Sequence, residues 1–223
     1  MTAIGGLNET PLHAALKRAV APEGAAFEVT VDGYVIDVVH EDLLIEVQTR
    51  NLGGMRDKLA RLLEGHRVRL VLPVTQHAWI VKRPAGTRRR SPKRGHAMDV
   101  ARELVAIPHL LGHPNLEIDV LLIHQDEIRE HREGVAWRRK GWVTVDRKLV
   151  AIVGQHRIAG PHGLLTLLPG GLADPFGSAE VAKAAGASRR SAQQLLYCLR
   201  SIAAIEPVDK IGNAVQYRRT ADP

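Results

Sequence analysis

The 223-residue chain has a single cysteine, Cys198, and no apolar run near the roughly 18 residues that a membrane-spanning helix needs. One cysteine excludes a disulfide within the chain and is typical of a protein from a reducing compartment. The first ten residues, MTAIGGLNET, lack the basic and apolar segments of a secretory signal. These absences predict a soluble cytoplasmic protein that has no membrane partner.

Several familiar catalytic motifs are also missing. No Ser/His/Asp arrangement can be picked out, and the glycine pairs Gly53-Gly54 and Gly170-Gly171 lack the flanking residues of a phosphate-binding loop. The 11 histidines have neither cysteine partners nor a helical His-Glu pattern, which disfavours a zinc site. Any chemistry must therefore rest on other residues.

The charge balance is strongly positive. The formal net charge is +7, the isoelectric point is near 9.9, and 45% of the residues are hydrophobic. The chain can therefore bury a core as one large domain or two small ones. The charge favours a polyanionic partner, DNA first and RNA not excluded, although many basic proteins bind no nucleic acid. A homodimer is left open.

The stretch 31–50, VDGYVIDVVHEDLLIEVQTR, is the most informative part of the chain. Its Val, Ile and Tyr alternate like two strands, and Glu41-Asp42 is the predicted two-residue turn between them. That turn sets Asp37 opposite Glu46, with Cβ atoms roughly 4.5–5.5 Å apart, and Gln48 shares the face of Glu46. Because two buried carboxylates are costly without a counter-ion, the pair suggests a divalent cation such as Mg²⁺.

These residues resemble the PD-(D/E)XK superfamily of restriction endonucleases and related phosphodiesterases. The pattern is Asp37 at the end of one strand and Glu46-Val47-Gln48 on the next, with glutamine where lysine is commoner. The resemblance covers about residues 7–81. It implies metal-dependent hydrolysis of nucleic acid, with Asp37 and Glu46 holding Mg²⁺ or Mn²⁺ and Gln48 orienting the attacking water.

Two further residues gain a role from the resemblance. Glu9 lies at the start of the first helix, where several members of the superfamily have a metal-binding glutamate; the alternative is an acid favoured by the helix dipole. Lys58 can replace the missing catalytic lysine from the helix after the motif; the alternative is a solvated helix lysine.

The predicted element order agrees with the same fold. A helix with Asn8 as its cap precedes a strand at 27–31, the two strands of the central stretch, a helix at 55–64 and a buried strand at 68–73. Helix, three strands, helix and strand is the core order expected of a restriction endonuclease-like mixed α/β sheet flanked by helices.

The rest of the first predicted domain, residues 1–160, is basic and irregular. Residues 82–95 hold seven Lys or Arg among Pro, Gly and Ser, and they predict a flexible loop that contacts nucleic acid or only aids solubility. Residues 97–158 are interpreted as an elaboration of that domain, closed by a hairpin of 142–145 and 149–153. The loop residues expected at nucleic acid are Arg88, Arg89, Arg90, Lys93 and Arg94.

Residues 161–223 predict a winged-helix domain. Helices at 179–185, capped by Ser178, and 189–202, capped by Ser188, flank a glycine turn, and a hairpin of 205–211 and 214–218 follows. Such domains also mediate protein contacts. The residues expected to reach base edges lie at the start of the second helix: Arg189, Arg190, Gln193 and Gln194.

Two functional hypotheses follow. The first is a Mg²⁺- or Mn²⁺-dependent endodeoxyribonuclease with its own winged-helix module, whose catalytic residues are Asp37, Glu46, Gln48 and Lys58 and whose metal ligands are Glu9, Asp37 and Glu46. The second is a non-catalytic DNA-binding or regulatory protein that keeps the fold without the reaction, and Gln48 in place of lysine keeps it open.

Overall fold

The computed structural model describes residues 9–160 and 162–220. A seven-stranded mixed sheet with helices is followed by a helix pair and a two-stranded hairpin. None of the helices in these two ranges is both long and apolar enough to cross a bilayer. The helices are α1 (Pro11–Val20), α2 (Arg56–Leu63), α3 (Ala101–Leu104), α4 (Ser178–Ala185) and α5 (Arg189–Ser201), and the strands are β1 (Ala26–Val31), β2 (Tyr34–His40), β3 (Leu43–Val47), β4 (Arg67–Arg83), β5 (Thr87–Arg94), β6 (Leu116–His131), β7 (Trp142–Ala159), β8 (Ile205–Ile211) and β9 (Ala214–Arg219).

The large sheet has the strand order β1-β2-β3-β4-β6-β7, and β5 pairs with the far part of β4. β3, β4 and β6 are parallel, whereas the other neighbours are antiparallel. β3 ends at Val47 opposite Val71, while β4 continues to Arg83 beside β6. The end of β3 therefore leaves an opening in the sheet, and the longer strands continue past it.

Both faces of the central strands are covered. Leu43 and Ile45 pack in one hydrophobic cluster with α1, whereas Leu44 belongs to a second cluster that includes α2 and α3. Neighbouring residues of a strand point to opposite faces, so the two clusters lie on the two sides of the sheet. The sequence pattern thus buries the central strands between helices.

The second cluster also joins the two predicted domains. Leu195 and Leu199 of α5 are buried in the same cluster as Leu104 of α3. Ser191 Oγ also donates a hydrogen bond to Asp99 Oδ1 at 2.5 Å. The predicted boundary at 160/161 lies between elements, but the two parts of the chain share one core rather than having separate ones.

The predicted order of helix, three strands, helix and strand is confirmed. The turn at Glu41-Asp42 is also confirmed, with Glu41 at φ 52°. The cap of α1 is Thr10, whose hydroxyl accepts from the His13 N–H at 3.3 Å, and the predicted cap Asn8 lies outside the described residues.

The prediction of a flexible loop at 82–95 is wrong. A turn at 84–86 joins β4 to β5, and five of the seven basic residues lie on β5, an edge strand paired with β4. Arg88 stacks over the Trp79 ring at 4.4 Å and pairs with Asp126 at 2.9 Å. Long basic side chains are well tolerated on an exposed edge strand, where water solvates the charge while the stem packs on the sheet.

The predicted hairpin of 142–145 and 149–153 is wrong as well, because β7 runs unbroken through both segments. The polar residues between them resembled a turn, but they pair across the sheet with residues of opposite charge. Lys148 lies opposite Asp126, and Arg147 lies opposite Glu127. Such cross-strand charge pairs stabilise a strand where composition alone indicates a break.

The predicted C-terminal helix pair and hairpin are confirmed as elements: α4, α5 and the β8–β9 hairpin have nearly the expected bounds. Ser188 caps α5, since its hydroxyl accepts from the Ser191 N–H at 3.0 Å. Ser178, by contrast, is the first residue of α4, and the preceding Gly177 takes the cap position. The Gly177 N–H donates to Glu180 Oε2 at 3.1 Å.

Candidate active site

The β2–β3 hairpin brings the two predicted carboxylates together. The paired register of β2 and β3 ends with Val38 opposite Ile45, and Asp37 and Glu46 are the next residues of the two strands. The N–H of Val47 donates to Asp37 Oδ2 at 2.9 Å, which fixes that carboxylate at the end of β3. The two carboxylates are therefore neighbours, as predicted, just beyond the last paired residues of the hairpin.

Glu46 is buried, with 4% of its surface exposed, and Lys58 of α2 is its ionic partner. Lys58 Nζ lies 2.7 Å from Glu46 Oε1 and also donates to the carbonyl of Val35 at 2.7 Å. Burial raises the pKa of Glu46 by more than the hydrogen bond and charge of Lys58 lower it. Lys58 is thus part of the carboxylate site and not a solvated helix lysine.

Asp37 has an imidazole beside it that the sequence interpretation missed. His13 Nε2 lies 3.2 Å from Asp37 Oδ2 and 2.8 Å from the carbonyl oxygen of Val47. The hydrogen bond to Asp37 is the main reason that the pKa of His13 is raised to about 9. Burial alone would raise the pKa of Asp37, but the hydrogen bonds from His13 and the Val47 N–H keep it below its usual value.

Glu9 is held by cations from α1. Its Oε1 is 2.6 Å from Lys17 Nζ and 3.0 Å from His13 Nδ1. The hydrogen bond from Lys17 is the main cause of the lowered pKa of Glu9. Burial lowers the pKa of Lys17, but Glu9 and Glu28 outweigh burial and the pKa is raised.

The predicted three-carboxylate metal site is not assembled. In residues 9–160 and 162–220, no group of three His, Cys, Asp or Glu is arranged to hold a metal ion. Asp37 and Glu46 remain as a pair across the hairpin, and one or two carboxylates are what Mg²⁺ usually takes from a protein, the remaining positions going to water and substrate phosphate. The donor set therefore fits Mg²⁺ or Mn²⁺ through Asp37 and Glu46, without Glu9.

Gln48 lies one step beyond this pair. Its backbone N–H continues the sheet by donating to the Val71 carbonyl at 2.9 Å, and its side-chain amide donates to the Asn51 carbonyl at 3.2 Å. Its side chain lines the opening at the end of β3. Gln48 is thus held by the following loop, and in the structure as described it makes no hydrogen bond to Asp37 or Glu46.

His13 and Lys17 are the site residues that sequence reasoning missed. They lie four apart on α1, and Glu9 precedes His13 by the same interval. A repeat of four places side chains on one face of a helix, so this polar face was a usable signal.

A cleft of about 610 Å³ opens where β3 ends. Gln48, two residues after Glu46, lines it together with Lys93 and Arg94 of β5. A second cavity, of about 560 Å³, lies along β5 and is lined by Arg89, Arg90 and His77. The predicted basic residues thus line two concave surfaces, and Gln48 is the predicted catalytic residue that lines the larger of these two.

The predicted base-reading residues lie at the start of α5. Arg189, Arg190 and Gln193 are exposed, and Gln194 is half-buried. Ser191, in the same turn, faces inward and contacts Asp99, which also lines the cleft. One turn of α5 therefore connects the cleft wall to an exposed basic surface.

Residues 10–159 match the family described as Domain of unknown function (DUF8091). The chain belongs to this family. It is also 37% identical over 155 residues to an uncharacterized protein of Treponema pallidum (strain Nichols), a match that covers 67% of this chain and 61% of the relative. The chain thus spans about three fifths of that relative's length. No solved structure matches the chain.

The DUF8091 match contains Asp37, Glu46, Lys58, β5 and every residue that lines the cleft, and it ends at the last residue of β7. The C-terminal helices and hairpin follow after it. The candidate active site is therefore a feature of the part of the chain that defines the family.

Proposed function

We propose that this DUF8091 protein is a metal-dependent nuclease of the PD-(D/E)XK type that hydrolyses DNA phosphodiester bonds. The observation that carries the proposal is the contact of Lys58 with Glu46 opposite Asp37, because it supplies a lysine where the motif has Gln48. The order of α1, three strands, α2 and β4 around these residues supports the same fold.

Each residue of the site has its own role in the proposed reaction. A Mg²⁺ or Mn²⁺ ion held by Asp37 and Glu46 would polarise the scissile phosphate and lower the pKa of a bound water. Lys58 has three N–H bonds, of which two are used by Glu46 and Val35, and the third would donate to a phosphate oxygen or to the attacking water. His13 holds the Asp37 carboxylate in its ionised form and in place.

Hydrolysis forms one bond to phosphorus and breaks another. The water oxygen bonds to phosphorus, the bond from phosphorus to the leaving sugar oxygen breaks, and a proton from the water ends on that oxygen. Charge builds on the phosphate oxygens in this step, and the ammonium of Lys58 stabilises it. Removing Lys58 should therefore slow the chemical step more than it weakens DNA binding.

The C-terminal part supplies DNA affinity in this proposal. Two helices and a hairpin in winged-helix order present Arg189 and Arg190 at the start of α5. Arg88, Arg89 and Arg90 on β5 add a second basic surface. Both would contact phosphates, with binding that weakens as salt rises.

The test is a cleavage assay on linear, branched and single-stranded DNA and on RNA, with Mg²⁺, Mn²⁺ or EDTA. The parent should cut at least one DNA only when metal is present, and Asp37→Asn should not cut it. Asp42→Asn, in the exposed turn of the same hairpin, is the matched control and should cut like the parent. Absence of metal-dependent cleavage by the parent on every substrate would refute the proposal.

A non-catalytic DNA-binding protein is the second candidate, and one observation favours it. Each acid of the site already has a protein cation beside it: Glu9 has Lys17, Asp37 has His13 and Glu46 has Lys58. A site neutralised in this way can be purely structural. Salt-dependent DNA binding without cleavage in the same assay would select this candidate.

A further inference from the structure

The cleft at the end of β3 has an apolar floor and a polar group that lacks a partner. Ala78, Ile123 and Gln125 line it on one face of the sheet, and Leu72 and Val74, which belong to the other hydrophobic cluster, line it on the opposite face. Gln125 lies on β6 and is only 4% exposed.

The side-chain carbonyl oxygen of Gln125 is buried and accepts no hydrogen bond from the described residues. Leaving such an acceptor unpaired costs free energy, about 1–3 kcal/mol in typical proteins. Because this oxygen has almost no accessible surface, the Gln125 amide has to rotate to present it to the cleft, and an N–H group of a ligand there would then remove this cost. The ligand should also be flat and apolar enough to lie on the aliphatic floor.

The rim of the cleft specifies a second property of the ligand. Arg50, Lys93, Arg94 and Arg147 line it, and within the described parts of the chain none of the four forms a side-chain ion pair. The acids of the lining, by contrast, have partners within the protein. Asp99 accepts from Ser191 Oγ, Glu103 from the Leu52 N–H, Glu127 from Arg129, and Asp146 from the Arg147 N–H.

An aliphatic floor, a buried acceptor and a rim of free cations match one unit of a nucleic-acid strand. The base packs on the floor, its amino or imino N–H reaches Gln125, and the phosphates on either side meet the rim. A paired base inside a duplex cannot enter, because its edge and faces are already covered.

We propose that the cleft binds one unpaired nucleobase next to the scissile phosphate, with Gln125 as the hydrogen-bond acceptor that holds it. The inference rests on the proposed function for the position of that phosphate, because Gln48, which lines the cleft, follows Glu46 by two residues. It deepens that function by selecting substrates with a single-stranded or unstacked nucleotide, such as flaps, branches or loops.

The experiment measures binding, not cleavage, so that it does not depend on activity. Fluorescence anisotropy in EDTA follows the full chain binding two labelled single strands of about 12 nucleotides, one with cytosine bases and one in which every base is replaced by an abasic tetrahydrofuran unit. The phosphates are identical in the two probes. The parent should bind the base-bearing strand about tenfold more tightly or better.

Gln125→Met removes the acceptor and keeps the side-chain length. It should lose most of the preference for the base-bearing strand while binding the abasic strand like the parent. Gln155→Met is the matched control, because Gln155 is exposed on β7 outside the cleft, and it should keep the full preference. Equal binding of the two strands by the parent, or an unchanged preference in Gln125→Met, would overturn the proposal.

A second measurement uses the parent alone and covers the case in which Gln125→Met does not fold. A strand with one 4-thiothymidine is photocrosslinked, and the modified peptides are identified by mass spectrometry. Crosslinks should fall in the cleft segments 72–78 and 123–127; crosslinks confined to α5 would overturn the proposal. The two proposals can fail separately. If the protein binds the base-bearing strand more tightly but never cleaves DNA, this inference stands and the nuclease proposal fails. If it cleaves DNA but binds the two strands equally, the nuclease proposal stands and this inference fails.

Discussion

Replacing Lys58 by methionine should cost stability and activity together. Lys58 is the ionic partner of Glu46, whose side chain is 5% exposed, and its own side chain is 19% exposed. Removing one partner of a buried ion pair costs about 3–5 kcal/mol because the other charge stays buried. Water reaches Lys58 in part, so we expect the free energy of unfolding to fall by about 3 kcal/mol near pH 8.

The loss of unfolding free energy in Lys58→Met should depend on pH in a defined direction. The pKa of Glu46 is already raised by burial, and removing Lys58 raises it further, because Lys58 lowers it. A carboxyl whose pKa is higher in the folded state contributes stability at low pH, and that stability is lost as pH rises through the folded-state pKa. The deficit of Lys58→Met should therefore be large at about pH 8 and small at about pH 4.

Urea denaturation of the parent, Lys58→Met, Glu46→Gln and the double variant measures this directly. Glu46→Gln removes the buried charge, so the added cost of Lys58→Met in that background should fall below about 1 kcal/mol. Lys183→Met, on the exposed face of α4, is the control and should change stability by less than about 0.5 kcal/mol. A deficit that is equal at both pH values, or equal in the Glu46→Gln background, would refute the reasoning.

Three further predictions follow from the same structure. The stability of the parent should fall by up to about 3 kcal/mol as pH rises from about 6.5 to 9, because the raised pKa of His13 stabilises the fold only while the imidazole is protonated. Denaturation of His13→Gln at several pH values should show most of this loss of stability removed. An equal loss in this variant would contradict the stabilising role of the protonated His13 imidazole. Gly95→Ala should lower the unfolding free energy by about 2 kcal/mol or more, since its Cβ would lie within 2.2 Å of the Thr75 carbonyl oxygen, whereas Gly65→Ala meets nothing within 4 Å and should not. Changing Arg189 and Arg190 to Ala should weaken DNA binding and reduce the slope of log affinity against log salt by up to about 2, and an unchanged slope would remove α5 from the DNA interface.

The parts of the fold that were predicted correctly depend on local signals. The turn at Glu41-Asp42 and the opposition of Asp37 and Glu46 follow from alternation in one short stretch. Ser188 as a helix cap is equally local. Such features need no knowledge of what lies across the molecule.

The errors occur where a distant strand overrides local composition. The basic residues of β5 form a strand only because β4 extends far enough to pair with them. The polar residues Asp146, Arg147 and Lys148 continue β7 only because Glu127 and Asp126 lie opposite two of them. Composition marks both segments as breaks, and tertiary pairing decides otherwise.

The candidate site was accessible from sequence in part. Asp37, Glu46 and Lys58 were anticipated through the motif and the resemblance, and they do converge. The role of His13 was not anticipated, because it depends on how α1 packs at the end of β3. The cleft with Gln125 depends on β3 ending before β4 and β6 do, and no pattern within one segment encodes that difference in length.

The measurement that tests the nuclease proposal most directly is the single-turnover rate of DNA cleavage in Mg²⁺ for the parent, Glu46→Gln and Glu64→Gln. Glu46 belongs to the carboxylate pair, whereas Glu64 is exposed at the end of α2. Our account predicts a loss of about a hundredfold or more for Glu46→Gln with DNA binding in EDTA unchanged, and the parent's rate for Glu64→Gln. Cleavage by folded Glu46→Gln at the rate of the parent would contradict it.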